Sequence, residues 1–509
     1  MQSEPHPAVP RRERLWVGVT TAVFGLWLVL WALVVPAFQA PDEAAHLDAA
    51  VHVATGSGWP APGTMHVTNA VRAALQEQAD GDSSTWSTVS GLLTAHPGDS
   101  TTVNQMSQHP PTAYVVDAVV LRALHYGSLR WDHALVALRL VDAVLVTPLA
   151  LLAWASVRRV TRSPRAALLG ALALFAVPQL ASIGASVTND APTLLLGGVV
   201  VWLATRLLTG DLRRRTLLTT GVALGLLVWT KGTGLPAVPF IAAVTLAAGA
   251  GVLTFPRRLL RTVAVLGVTA AIGAWWWLRN LVRFHTLQPD GYAALRPARP
   301  FPDGQGPSVW HFLDVSWGTL TRTFWGSPGQ RAQVSIGDLL TAVLTLVVLV
   351  VLVGWAFRRG RTRRAAWCLA VFPALLLLVQ TASSARAYLD TTQVAGTQGR
   401  YLFPALLCLV VLSAVAWRRL PLPGRGRAAL PLVLSVAFPA IGTWGIAVAA
   451  GWFWNTASGP ISAASVDRYE ASGPVPFALV AVVGVLVVVG WATVVVRLWA
   501  PSGVSSRTP

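Results

Sequence analysis

The chain has 509 residues, 54% of them hydrophobic and only 12% charged, with a formal net charge of +18. Soluble globular proteins carry about a quarter of their residues as charges, so an ordinary soluble domain is excluded. Continuous apolar runs of roughly twenty residues exclude a membrane β-barrel, whose strands alternate apolar and polar positions.

Arg11, Arg12 and Arg14 precede an uncharged run from Leu15 to Val35. This run is longer than a signal-peptide core and lacks an A-x-A site, so it reads as a retained first span. In chain order, the predicted spans are 15–36, 135–157, 166–184, 191–209, 216–233, 235–254, 262–280, 336–357, 365–385, 399–417, 428–453 and 475–497. Twelve spans put both termini on one side. With the N-terminus in the cytoplasm, the inner segments hold 25 basic residues and three acids, and the outer ones 13 basic residues and 17 acids. The basic excess is therefore the positive-inside pattern of a cell-membrane protein, and no nucleic-acid partner is needed. Arg139 and Asp142 fall inside the second span, where their charges cancel. Cys368 and Cys408 also fall inside spans and read as packing residues.

Two outer segments are too long to be plain connectors, 37–134 and 281–335, and long loops tend to carry function. The first contains two short amphipathic stretches, 42–53 and 112–124, suited to lie along the membrane interface. The second is proline-rich and then rich in tryptophan, as an interfacial aromatic belt would be. With no internal repeat, residues 1–509 read as a single membrane-embedded domain.

Six polar groups interrupt this apolar chain. PDEAAH, just after the first span, carries Asp42, Glu43 and His46. Pro41 and the two acids also make an ordinary helix start, while helical spacing would bring His46 beside both carboxylates. QHPPTAY places His109 at a proline-defined turn, where a solvated histidine is the plain alternative. TND places Asn189 and Asp190 at a short outer turn, where a helix cap is the plain alternative. TKGTG holds Lys231, the only lysine, at a depth where a charge usually faces a cavity or a partner. WWWLRN ends a span with Arg279, and TQGRYLFP opens one with Arg400 and Tyr401; both arginines could simply snorkel to lipid headgroups. The charge-derived topology puts all six groups on the outer side. Cations facing a phosphate, with a carboxylate base beside them, suit group transfer.

In this order, PDEAAH, HPP, TND, TKGTG, WWLRN and TQGRYLFP resemble a bacterial family of multi-pass membrane proteins carrying a domain of unknown function. That family in turn is similar to the GT-C glycosyltransferases, which include the protein O-mannosyltransferases and the lipid A aminoarabinose transferases. The resemblance implies an all-α, GT-C-like polytopic fold whose enlarged first outer loop carries interfacial helices. It implies transfer of a sugar from a polyprenyl-phosphate-linked donor to a cell-envelope glycan, lipid or protein acceptor on the extracytoplasmic side.

By the same resemblance Asp42 matches the catalytic carboxylate and Glu43 its neighbour, while Lys231 and Arg279 match positions associated with the carrier phosphate. His109 stands where the aminoarabinose transferases have lysine. His46, Asn189, Asp190, Arg400 and Tyr401 complete the expected substrate-binding set. No cofactor or metal is required, although the oxygens of Asp42 and Glu43 would suit a divalent cation. Competing readings are a transporter or flippase of lipid-linked sugars, and a noncatalytic protein that keeps the GT-C shape. A transporter would often show repeated halves with interrupted helices, and neither is present in the sequence.

Overall fold

The computed structural model describes residues 9–291, 297–356, 362–455 and 462–499. The basic residues expected inside at Arg358, Arg359, Arg361 and Arg507, and residues 292–296 of the proline-rich stretch, lie outside these ranges.

The first span is helix α1 (Arg11–Val34). Segment 37–134 then folds as a compact unit: α2 (Glu43–Thr55), β1 (His66–Thr68), α3 (Asn69–Asp80), α4 (Val89–Ala95), β2 (Asp99–Val103) and α5 (Thr112–Ala123). The two strands pair antiparallel, with His66 opposite Val103 and Thr68 opposite Asp99. Thr68 also starts α3, its hydroxyl accepting from Val71 N at 3.3 Å, and Gly81 stops that helix in the left-handed region. Phe38, Leu47, Trp86, Leu121, Trp131 and Leu138 form a separate apolar core for this unit. Helices α2 and α5 match the two amphipathic stretches expected. The hairpin, α3 and α4 lie outside those two stretches and are elements that the structure adds.

Beyond it run α6 (Trp131–Val146), α7 (Leu149–Thr161), α8 (Pro164–Leu172), α9 (Pro178–Gly184), α10 (Asp190–Leu208), α11 (Arg214–Thr230) and α12 (Ala237–Ala247). Helices α13 (Phe255–Thr269) and α14 (Trp275–Phe284) are joined by a π-turn at Ala270–Ala274. Last come α15 (Val309–Trp325), α16 (Asp338–Ala356), α17 (Arg363–Thr391), α18 (Leu406–Trp417), α19 (Gly424–Trp454), α20 (Ala463–Ser472) and α21 (Phe477–Trp499). A 3₁₀ turn, Gly399–Ala405, leads into α18.

The fold is an all-α polytopic bundle. Among the described residues nine helices are long and apolar enough to cross a membrane, or ten if α8 and α9 count as one span broken by a 73° bend. Of the twelve spans expected, the other three fall on that broken pair, on the 17-residue α11 and on the 11-residue α12. Hydropathy records apolarity but not backbone breaks. Val177, held out of the helical region by the proline after it, interrupts the α8–α9 stretch. Lys231, extended at φ −157° and ψ 149°, ends α11. The centre of the bundle is α1, α10 and α18, while peripheral helices leave large apolar side chains such as Leu346, Val350 and Val485 exposed to the surrounding lipid.

Candidate functional site

Glu43 is buried completely and holds the new chain segment against the bundle. Its carboxylate accepts from Arg139 Nε at 2.7 Å and Nη2 at 2.6 Å, and from the backbone N–H of Phe38 at 3.0 Å and Val187 at 3.2 Å. Those four bonds occupy the four lone-pair sites of a carboxylate. Arg139 donates its remaining hydrogens to the carbonyls of Ala32, Val35 and Pro36 at 2.9, 2.5 and 2.8 Å, so all five donors are used. The guanidinium thus caps the C-terminus of α1, where orphan carbonyls need donors. This corrects two expectations. Arg139 does not cancel Asp142, whose carboxylate accepts instead from Thr188 N at 3.0 Å. Glu43 has no acceptor left with which to act on a substrate or share a cation with Asp42.

Asp42 is placed differently. It precedes α2 in the left-handed conformation, φ 58° and ψ 11°, which short polar side chains tolerate, and its carboxylate does not cap the helix. The side chain instead accepts from Arg400 Nη2 and from Gln105 Nε2, each at 3.2 Å. It keeps 39% of its surface open, against 8% for Arg400. The Arg400 side is anchored by its neighbour: Gly399 N donates to Thr323 Oγ1 at 2.7 Å, and a Cβ at Gly399 would collide with the Phe324 backbone. Close approach of two backbones therefore requires glycine before Arg400. Arg400 also lies over the ring of Tyr401, 5.6 Å from its centroid.

A second ion pair borders the first. Lys231 Nζ donates to Asp190 Oδ1 at 2.6 Å, with each side chain 9% exposed. The break after α11 puts the lysine there, and α5 is tied to the same point by Thr112 Oγ1 donating to Trp229 O at 2.9 Å. Between the pairs lies His46. Its Nδ1 meets Tyr114 Oη at 2.9 Å and its Nε2 meets Thr188 Oγ1 at 3.5 Å. It does not bond the Asp42 side chain. Burial lowers its pKa to about 3, and the positive charges of Lys231 and Arg400 add to that, so it stays neutral. His109 is likewise lowered to about 3, first by burial and then by Lys231 and His46.

Several buried polar atoms at this point have no hydrogen-bond partner: Asn189 Oδ1 and Nδ2, Asp190 Oδ2, His109 Nδ1 and Arg400 Nε. Buried polar groups are nearly always bonded, so this concentration marks a place built to meet a polar ligand. Asp42, Arg400, Lys231, Asp190, Asn189, His46 and His109 are thus brought into one neighbourhood.

Arg279 is not among the groups bonded there. Its guanidinium stacks over Trp276 at 4.7 Å and Phe284 at 5.9 Å, and Nη1 donates to Asn280 Oδ1 at 3.2 Å. Arginine prefers aromatic faces when it sits beside them, and Trp276 and Phe284 supply them here. No group of three His, Cys, Asp or Glu side chains able to hold a metal ion occurs among the described residues. Sequence reasoning missed Gln105 and gave no site role to Arg139, while Tyr114 and Thr188 lay inside the motifs QHPPTAY and TND without an assigned role. Of the first two, only Arg139 carried a signal, as a charge inside an apolar helix.

The family model described as "Predicted membrane protein (DUF2142)" matches residues 24–289, just over half of the chain. The chain belongs to that family. Comparison with curated proteins returns no match. Among solved structures, the chain is similar to ArnT from Cupriavidus metallidurans bound to undecaprenyl phosphate, at 16% identity and TM-score 0.49, covering 96% of this chain and 75% of that one. It is also similar to the Archaeoglobus fulgidus oligosaccharyltransferase tethered to an acceptor peptide, at 13% identity and TM-score 0.46, covering 86% and 55%. A third similarity is to the same organism's AglB in complex with an inhibitory peptide and a dolichol-phosphate, at 12% identity and TM-score 0.44, covering 87% and 56%.

Proposed function

We propose that this protein is a membrane glycosyltransferase that moves a sugar from a polyprenyl-phosphate-linked donor to a hydroxyl of a cell-envelope acceptor, on the extracytoplasmic side. The observation that carries this reading is the Asp42–Arg400 contact. It joins a partly open carboxylate to a buried guanidinium 358 residues away, beside a second buried cation in Lys231. Each of these ions loses several kcal/mol of hydration under the surface, and unlike Arg139, whose five donors are all used, both keep donors for a ligand: Arg400 Nε has no partner and Lys231 Nζ makes one bond.

In the proposed reaction Asp42 accepts the proton of the acceptor hydroxyl as its oxygen attacks the anomeric carbon. The bond from that carbon to the phosphate oxygen breaks, and the lipid phosphate leaves with the electron pair, so no general acid is needed. A single displacement inverts the anomeric centre. The phosphate competes with Asp42 for the Arg400 fork, since arginine binds phosphate in a bidentate way. Lys231 gives one hydrogen to Asp190, and its ammonium keeps two more for the phosphate. Asn189, Asp190 and His109 face the sugar with unpartnered polar atoms. His46, neutral and tied to Tyr114, orients the pocket rather than carrying charge. Any divalent cation would find only Asp42 of the expected carboxylate pair, so none is assigned a role. The test is mass spectrometry of envelope glycans from a deletion strain complemented with wild type or with Asp42→Asn. The deletion should lose one sugar, wild type should restore it, and a well-expressed Asp42→Asn should not; full restoration by that variant would overturn the mechanism.

A further inference from the structure

A cavity lies away from this site, within the helix bundle. It has a volume of about 540 Å³ and runs between α8, α16, α18 and α19. Its walls are apolar, but Arg165, Arg418 and Arg427 converge on one end together with Ser163, and no Asp or Glu lines it among the described residues. All three arginines are exposed. Arg418 donates to Thr161 O at 2.9 Å, and Arg165 stacks on Trp499 at 5.7 Å, so neither is neutralised by these contacts.

Helix geometry sets the depth of this end. Arg418 follows Arg400 by eighteen residues, through the 3₁₀ turn and then α18, a rise of about 30 Å at ~2.0 Å and ~1.5 Å per residue, equal to the ~30 Å of the hydrocarbon core. The arginine cluster is therefore at the opposite membrane surface from the Asp42 site. From Arg418 back to Leu406, the wall supplied by α18 is about 18 Å long, slightly more than one ~15 Å leaflet. At the far end are Phe324 and Trp325. A phosphate held by the three arginines would place an acyl chain along the apolar wall in the leaflet where it belongs. A donor polyprenyl phosphate would need its phosphate at Arg400 and Lys231, at the other surface.

We propose that this groove is a binding site for one anionic phospholipid of the leaflet opposite the Asp42 site. The three arginines hold its phosphate, and α8, α16, α18 and α19 enclose an acyl chain. The positive cluster meets a leaflet rich in anionic lipid, which supplies the charge complementarity. The proposal does not rest on the transferase reading.

Native mass spectrometry of the delipidated full-length protein in mild detergent tests it, by titration with dioleoyl phosphatidylglycerol or dioleoyl phosphatidylcholine. At least a tenfold preference for phosphatidylglycerol is expected, falling to none in the Arg165→Gln/Arg418→Gln/Arg427→Gln variant. These side chains are exposed, so the variant's melting temperature should match wild type. A phosphatidylglycerol carrying a diazirine on its acyl chain should label peptides from 406–441. Equal binding of the two lipids, or labelling spread over the whole bundle, would overturn the proposal. So would displacement by millimolar inorganic phosphate alone, or a preference for undecaprenyl phosphate over phosphatidylglycerol.

Discussion

Replacing Glu43 by Gln keeps the side-chain volume and removes one charge from a place where every acceptor is in use. The wild-type carboxylate takes two hydrogens from Arg139 and one each from Phe38 N and Val187 N. The glutamine oxygen can serve two of these donors, while its NH₂ group faces the other two as a donor itself. Arg139 is left charged and unpaired at 1% exposure. Breaking a buried pair in this way costs about 3–5 kcal/mol. At about 2 °C per kcal/mol for a large chain, the melting point should fall on the order of 5–10 °C.

The assay is thermal unfolding in detergent, followed by tryptophan fluorescence and paired with sugar transfer measured well below the variant's midpoint. Transfer should survive at that temperature, since Glu43 has no free lone pair for chemistry. A double-mutant cycle with Arg139→Met should show a coupling of about 2 kcal/mol or more. The double variant should stay below wild type, because the carbonyls of Ala32, Val35 and Pro36 lose their donor. Normal melting of Glu43→Gln with transfer abolished would refute this and return Glu43 to the chemistry.

Asp42→Asn keeps an oxygen for Arg400 Nη2 but removes the charge opposite a guanidinium only 8% exposed, so melting should fall by about a few °C and transfer should be abolished at temperatures well below the midpoint. Arg400→Lys keeps the charge but loses the planar fork, so transfer should fall about 100-fold, the cost of one stabilising donor, in a kinetic assay with saturating acceptor. Gly399→Ala should reduce transfer by pushing residue 399 off the Phe324 backbone and shifting Arg400 with it; a fully active alanine variant would show that this close approach is not needed. His46 and His109 are both held at a pKa of about 3, below their usual 6.5, chiefly by burial. Their unfolded forms bind protons first as pH falls below 6.5, so the stability they provide is complete above that value and lost as pH drops toward 3. The loss approaches about 1.4 kcal/mol per pH unit for each, and His46→Gln should flatten the slope of melting temperature against pH.

Much of the site was legible because membrane burial makes polar residues conspicuous. In an apolar chain a lone lysine or paired acids need a reason, and the motifs around Asp42, Lys231 and Arg400 stood out for it. Asp42 with Arg400 and Lys231 with Asp190 are the pairs that resulted. Arg279 met the same criterion and went elsewhere, because a guanidinium beside aromatic faces has a local partner that its sequence position cannot distinguish from a distant one. Arg139 was passed over for the opposite reason. Its charge cancelled on paper with Asp142, one helical turn on, while the folded chain gave each a different partner.

By itself the sequence determined that this is a helical, polytopic membrane protein, since composition and run length decide how a chain partitions between water and lipid. It also determined which few polar residues would be expensive to bury. Only the tertiary structure decided which of them meet. The left-handed turn at Asp42 sends adjacent acids to different partners, the break after Thr230 delivers Lys231 to Asp190, and the approach of Gly399 to α15 seats Arg400. These are backbone directions and long-range packing choices, and hydrophobic pattern does not encode them residue by residue.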